Sequence, residues 1–557
     1  MLSNYLDRIF FFHYVDYLQL FFNSLYFWLF FGFLLAGYSI VYKKNSLRNL
    51  YLFVASVFFY YKISGFFFVL LIFSTLVDYV IGLAIYRSHK ELIRTVLVVI
   101  SISVNLLVLV YFKYAYFFTS SFNEVFDTAL NMDRHLGHWF YETNGAPAPH
   151  DPARWLPPIG ISFFTFQTIS YTVDLYKRKL KPVTNILDFG FYVSFFPQLV
   201  MGPIVRASHF IPQMYSSYKL KKHEFGLAIY WILKGLAKKV ILADFLAFYF
   251  IDTVFDDPLA KTGFENMMAV IGYSMQVYAD FSGYTDIAIG IALLLGFRLH
   301  TNFNSPYKAR NVGDFWKRWH ISLSTWLKDY LYIPLGGNRK GTFATYFSLL
   351  VILVTVVLIS GWLELGFYFG VAFLILGVLA LLIPAVKRSI DTNINLMITM
   401  LLGGLWHGAS WNFVIWGGLN GIGLVIYKFW RKISPWENYN NYVVNAWKIF
   451  ITFTFITFTR IFFRSSTMEL AKSMMHQIWY NFQMEFVPEV TMHYLPFFIT
   501  LCIGFVIHWL PTSIKDSVRN AFIRSHVFIK VIACSITVVI IYQYMKSGIQ
   551  SFIYFQF

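Results

Sequence analysis

Ten apolar runs, near 20–42, 66–86, 95–118, 266–297, 342–363, 366–385, 411–430, 444–463, 495–511 and 527–545, govern what this chain can fold into. As helices, each can cross roughly 30 Å of hydrocarbon. Only helices or closed barrels satisfy their backbone groups in lipid, and runs that are continuously apolar rather than alternating exclude the barrel. Composition agrees. Of 557 residues, 58% are hydrophobic and 13% charged, against about 25% charged in a soluble domain. A soluble multidomain enzyme, a disordered chain and a repeat solenoid are excluded, and the fold class is an all-α polytopic membrane protein. Shorter or broken runs lie near 49–61, 156–176, 187–204, 226–250, 320–335 and 392–407. They bring the expected count to about 11–13 transmembrane helices, with some of the short runs re-entrant or interfacial.

The net charge is +17, from 45 Lys and Arg against 28 Asp and Glu. The basic residues cluster in short stretches between apolar runs, as cytoplasmic loops do, so they argue for membrane orientation and against nucleic-acid binding. Cys502 and Cys534 both lie inside apolar stretches, so no disulfide framework and no thiolate metal site is expected. The first residues lack a basic region followed by a cleavage site, and the first span is expected to be retained. Basic clusters at Lys43, Lys44 and Arg48, at Arg87, Lys90 and Arg94, and at Lys177–Lys181 are expected inside. Segment 119–155, with five acids against two bases, is expected outside, as is the N-terminus. Run 187–204 has basic flanks on both sides, and Pro197 and Gly202-Pro203 break its helix. It reads as a re-entrant segment beside a cavity open to the cytoplasm. Lys234, Lys238 and Lys239 are expected to start the next helix at the cytoplasmic interface, and Asp256, Asp257 and Glu265 to mark an outside turn.

Several polar groups interrupt the apolar runs. Asp280 and Asp286 sit in Tyr278-Ala279-Asp280-Phe281-Ser282-Gly283-Tyr284-Thr285-Asp286, where each carboxylate costs about 2.5–3.5 kcal/mol unless paired or wet. They either line a polar cavity or brace helix packing, and their close spacing favours bracing over direct catalysis. His320 follows Arg310-Asn311-Val312-Gly313-Asp314-Phe315-Trp316-Lys317-Arg318-Trp319. His407 lies in Gly403-Gly404-Leu405-Trp406-His407-Gly408, between runs whose outer flanks are Lys387/Arg388 and Lys428/Arg431, which puts it deep in the membrane. Imidazole suits proton acceptance from a hydroxyl near neutral pH. The plainer alternative is a histidine hydrogen-bonded inside a bundle. A two-histidine metal site has no third ligand at diagnostic spacing, and no metal is expected. His89, His135, His138, His150 and His223 read as solvated.

The blocks Ser305-Pro306-Tyr307-Lys308-Ala309-Arg310 and Trp316-Lys317-Arg318-Trp319-His320-Ile321-Ser322-Leu323-Ser324 resemble the signature of the membrane-bound O-acyltransferase (MBOAT) family. The continuation Leu327-Lys328-Asp329-Tyr330-Leu331-Tyr332-Ile333-Pro334-Leu335-Gly336-Gly337-Asn338-Arg339 resembles its alginate O-acetyltransferase branch, as do Pro158 to Gln167, Gly202 to Arg206 and Asp280 to Gly290, and Gly404 to Gly408 resembles the family's second histidine block. The resemblance covers roughly residues 20–465. It implies helices and re-entrant segments around a central funnel or tunnel, with His320 as catalytic histidine and His407 as the second motif histidine. Trp316, Trp319, Asp280, Asp286, Trp406 and Asn420 are expected to line or brace the tunnel, although Asn420 stands where the branch often has a histidine.

The implied function is transfer of an acetyl group from a cytosolic donor, acetyl-CoA, to a cell-envelope or secreted polysaccharide: an alginate-like exopolymer or peptidoglycan. No permanently bound cofactor is expected. Arg310, Lys317 and Arg318 either attract the phosphates of coenzyme A or only anchor the chain. The resemblance also implies a periplasmic or membrane-anchored partner with a serine nucleophile and a place in the bacterial inner membrane. D-alanyl or lipid acylation is the alternative within the family. A transporter of acetyl groups or precursors is the alternative outside it, but the Asp280–Gly290 and Trp316–His320 units have no second copy. The expected organisation is N-terminal transmembrane helices at 1–118, an extracytoplasmic loop at 119–155, a catalytic core at 156–465 and C-terminal transmembrane helices at 466–557.

Overall fold

The computed structural model describes residues 20–132, 135–137, 158–200 and 202–546, and among them the regular structure is helical, without strands. The expected placement of the N-terminus and most of the 119–155 loop fall outside the described residues.

Helix α1 (Leu25–Val41) opens on Ser24, whose Oγ accepts the Phe27 N–H. α2 (Asn45–Ser64) and α3 (Phe68–Arg87) meet at a 3₁₀ turn, Gly65–Phe67, where Gly65 has φ 57°. Asn49, early in α2, donates to Asp188, and Tyr79, late in α3, donates to the Thr184 carbonyl. A straight rod would hold those two residues about 45 Å apart, so the pair folds back on itself and crosses twice. α4 (Glu91–Leu109) passes through a π turn, Val110–Tyr114, into α5 (Ala115–Phe126). The loop expected from 119 therefore starts after Phe126. Thr119, Ser120, Asn123 and Glu124 gave that segment its polar look, but Phe118, Phe122 and Phe126 keep a helical spacing through it.

α6 (Ile161–Tyr176) leads to α7 (Ile186–Ser194), a turn at Phe196–Leu199 and α8 (Ala207–Met214). Asn49 Nδ2 donates to both Asp188 Oδ1 (3.0 Å) and the Met214 carbonyl (3.3 Å). The chain that leaves at Asp188 has thus returned by Met214, which is the re-entrant path expected from Pro197 and Gly202-Pro203. α9 (Lys222–Leu236) continues through a π segment, Ala237–Asp244, and packs along α10 (Gly263–Leu294), a 32-residue helix buried for most of its length. Lys234, Lys238 and Lys239 do not start this helix, as the sequence reading held, but lie well along it. Lys234 and Lys238 reach Asp286 at 3.1 and 2.8 Å, and Lys239 reaches Asp280 at 2.7 Å and Asp244 at 2.6 Å. Carboxylates of α10 and of the π segment pair with them, Asp286 being shared by two, which a charge count along the sequence does not reveal.

Short helices α11 (Val312–Arg318) and α12 (Ile321–Leu327) carry the signature segment. α13 (Phe343–Ser360) and α14 (Leu363–Leu382) are almost wholly exposed, as befits lipid-facing spans. α15 (Pro384–His407) and α16 (Trp411–Ile433) form a hairpin, followed by α17 (Tyr442–Arg464), α18 (Leu495–Trp509), α19 (Thr512–Arg524) and α20 (Val527–Lys546). Among the described residues, 7 helices are long and apolar enough to span a membrane, or up to 9 if each of two bent pairs counts as one span. That is fewer than hydropathy runs suggested. α1 is short, α15 is long but polar in its first half, and the continuous stretch Asn45–Arg87 counts once yet crosses twice.

Candidate active site

His320 is the N-cap of α12 and sits in the left-handed region, at φ 44° and ψ 54°. A non-glycine residue there costs energy and persists only where its surroundings impose it. Here Asn302 imposes it: its carbonyl accepts the Ile321 N–H (3.0 Å) and its Oδ1 the Ser322 N–H (2.9 Å). Ser322 Oγ in turn accepts the Ile204 N–H of the re-entrant segment. The imidazole is completely enclosed, edge-on to Phe281 with ring centres 4.6 Å apart and 6.0 Å from Trp406. Neither Nδ1 nor Nε2 has a hydrogen-bond partner among the described residues. A buried polar atom left unpaired costs about 1–3 kcal/mol, a cost the fold carries at this position.

His407 ends α15, whose 24 residues span about 36 Å, and so lies at the hairpin apex, remote from the basic flanks of Lys387/Arg388 and Arg431/Lys432. Its ring packs against Trp406 and Trp416, each 5.0 Å away, and Phe463 at 5.4 Å. Because both histidines touch Trp406, their ring centres lie within about 11 Å of each other. His407 and Trp416 border two cavities at once. One is a recess of about 230 Å³ that also meets Trp316, Ser324, Lys328 and Tyr332; the other is a narrow cleft that also meets Trp319, Asn420, Thr459 and Arg460. Of the residues expected to line or brace the tunnel, Trp316, Trp319 and Asn420 border these cavities, while Trp406 stands between the two histidines. The indole Nε1 atoms of Trp316 and Trp406 and Oδ1 of Asn420 are buried without partners among the described residues, and of these Trp316 and Asn420 belong to residues that border the cavities. Asp280 and Asp286 are tied to the α9 lysines and brace the bundle.

The three cations of the expected mouth do not form one cradle. Arg318 pairs with Asp314 at 2.9 Å, Arg310 donates to Asn440 Oδ1 at 3.0 Å, and Lys317 is exposed. Two cations that the sequence reading passed over lie closer to the histidines. Lys113, on the π turn, is half-buried against α15, and its ammonium donates to the Trp406 carbonyl (2.7 Å), the His407 carbonyl (3.3 Å) and Ser162 Oγ (3.4 Å). Arg460 is 5% exposed and stacks on Trp319 with its guanidinium carbon 4.6 Å from the ring centre. Each is a lone cation inside an apolar run, which was the available signal.

These features define a multi-pass helical membrane protein that buries two histidines against Trp406 deep in its bundle, one of which, His407, borders two cavities. The chain matches the membrane-bound O-acyltransferase family over residues 9–393. It is 34% identical over 469 residues, 79% of this chain and 75% of the relative, to a Helicobacter pylori protein described as "Peptidoglycan O-acetyltransferase". It is 35% identical over 429 residues, 76% of this chain and 68% of the relative, to a Pseudomonas aeruginosa protein described as "Probable alginate O-acetylase AlgI". A Bacillus subtilis "Teichoic acid D-alanyltransferase" is 28% identical over 322 residues, 56% of this chain and 70% of that protein. The chain therefore belongs to the membrane-bound O-acyltransferase family, and its activity is O-acyl transfer. The matched stretch contains His320 and stops short of His407.

Proposed function

We propose that the chain is an O-acetyltransferase of a bacterial inner membrane, moving an acetyl group from acetyl-CoA on the basic-flanked, cytosolic side to a cell-envelope or secreted polysaccharide outside. The observation that carries this reading is His320, fully enclosed with both ring nitrogens unpartnered among the described residues, beside Trp406 and His407. A hydroxyl seated there would give its proton to the imidazole as its oxygen attacks the thioester carbonyl, and the thiol would leave; such a general base is worth typically 10²–10⁴-fold. Unpaired indole N–H groups suit an oxyanion. The resemblance to an alginate O-acetylase and a peptidoglycan O-acetyltransferase supports a polymer acceptor. A separate partner with a serine nucleophile would receive the acetyl group first. Arg310, Lys317 and Arg318 would draw the donor's phosphates toward the mouth. The distance of His407 from the basic flanks supports delivery to the opposite side of the membrane.

The test is a deletion strain complemented with wild-type chain or His320→Ala, scored for O-acetyl groups on each envelope polymer. His320→Ala should insert normally and restore none of the acetylation. Full acetylation by a correctly inserted His320→Ala chain would sink the assignment.

A further inference from the structure

Four lysines converge where α9, α10, the 305–308 turn and the α18–α19 junction meet. Lys234 and Lys238 both reach the single carboxylate of Asp286, at 3.1 and 2.8 Å. Lys238 also lies 5.2 Å from the Tyr278 ring centre, and that ring packs edge-on against His508 at 4.6 Å. The His508 carbonyl accepts from Lys515 at 2.6 Å, and Lys515 donates to Ser305 Oγ at 3.1 Å. Lys308 donates to the Leu510 carbonyl at 2.7 Å, while the neighbouring Tyr307 N–H binds His508 Nε2. Arg318 adjoins the same turn through the Asn304 carbonyl.

The charges do not balance within the chain. Two of the four ammonium groups share the Asp286 carboxylate and the other two reach none, because Asp314 and Asp516 are each paired with an arginine, and Asp244 and Asp280 with Lys239. Among the described residues, Lys308 and Lys515 have only neutral oxygens as acceptors. Asp286 lies eight residues inside the end of α10, roughly 12 Å along the helix, where an ionisable side chain is costly unless paired or put to use. Lys234 and Lys238 remain partly open, at 31% and 19%. Capping the last carbonyls of α18 uses one or two protons of each outer ammonium and leaves the others free.

We propose that Lys234, Lys238, Lys308 and Lys515 form an anion recess that takes the phosphate ester of a ligand entering from the basic-flanked face. Two ligands carry that chemistry: the nucleotide portion of a thioester donor, a source that rests on the function proposed above, and the headgroup of an anionic phospholipid. Arg318 adjoins the same turn through the Asn304 carbonyl, so the recess would lie next to the mouth rather than compete with it.

Binding separates the sources without requiring turnover. The full chain is purified in phosphatidylcholine nanodiscs, and affinities for coenzyme A and for pantetheine, the same arm without its phosphates, are measured for wild type, Lys308→Gln, Lys515→Gln and Lys308→Arg. For a nucleotide donor, each Gln variant should weaken coenzyme A binding about tenfold or more. Pantetheine affinity should be unchanged, which also reports intact folding, and Lys308→Arg should stay near wild type. For a lipid source, coenzyme A affinity is unmoved, and the gain in melting temperature from doping with phosphatidylglycerol is lost in both Gln variants. Equal coenzyme A affinities together with an equal phosphatidylglycerol response in all four proteins would overturn the recess. Failure of wild type to transfer acetyl groups from acetyl-CoA would instead count against the proposed function, since neither binding arm depends on it.

Discussion

His320 and Lys113 meet the same environment in opposite ways. The imidazole is held with both nitrogens unpartnered among the described residues, while the ammonium is spent on backbone carbonyls at the C-terminal end of α15, where a cation is favoured by the helix dipole. Lys113→Met should destabilise the chain by about 1–3 kcal/mol, read as a lower melting temperature in detergent, with Lys113→Arg losing less. A melting temperature unchanged by Lys113→Met would mean the cap carries no weight. His407→Ala should cut acetylation at least tenfold, since the ring borders both cavities; wild-type turnover would leave it a packing residue. The depth of the two histidines was legible from the apolar runs that flank them, although the rings that enclose them, Phe281 and Trp406 for His320 and Trp416 and Phe463 for His407, come from elsewhere in the chain. Lys113 was not, since its partners at 162 and 406–407 come from distant parts of the chain.

Elements explain what the hydropathy runs left out. The α15–α16 hairpin closes on glycines: a Cβ at Gly404 would lie 2.3 Å from the Phe413 carbonyl oxygen, and one at Gly417 2.3 Å from that of Met400. Both are contacts with backbone, which cannot swing away, and small residues at such crossings let helices approach closely. Gly417→Ala should therefore push the helices apart, displace Trp416 and His407, and lower activity severalfold or more. Gly377→Ala on lipid-facing α14, with nothing within 4 Å, should be neutral. Equal activity of the two variants would refute the argument. The polar start of α15, with Asp391 and Asn395 buried against neighbours, hid a full-length helix from a hydropathy reading. The lysines of α9 misled for a related reason: their carboxylates lie on α10 and the π segment, and periodicity along one helix carries no record of what faces it.

At the scale of the whole molecule, the orientation expected from the basic clusters has a direct test. With Asn131→Cys an impermeant thiol reagent should label intact cells, whereas with Leu180→Cys it should label only after permeabilisation. The reverse pattern would place the donor on the wrong face. Class and re-entrant design were readable from the sequence because lipid leaves few ways to satisfy a backbone; the joint wall between the cavities was not, being assembled from α11, α15, α16 and α17. That wall has a further consequence. A catalyst lying open to both sides of a membrane that stores a proton gradient would short-circuit it. Trp406, His407, Trp416 and Phe463, packed ring against ring at 4.9–5.4 Å, would then have to insulate as well as hold the helices together. Proteoliposomes of the wild-type chain should hold an imposed pH difference, and those of Trp416→Ala should let it decay within the span of a dye-quenching trace.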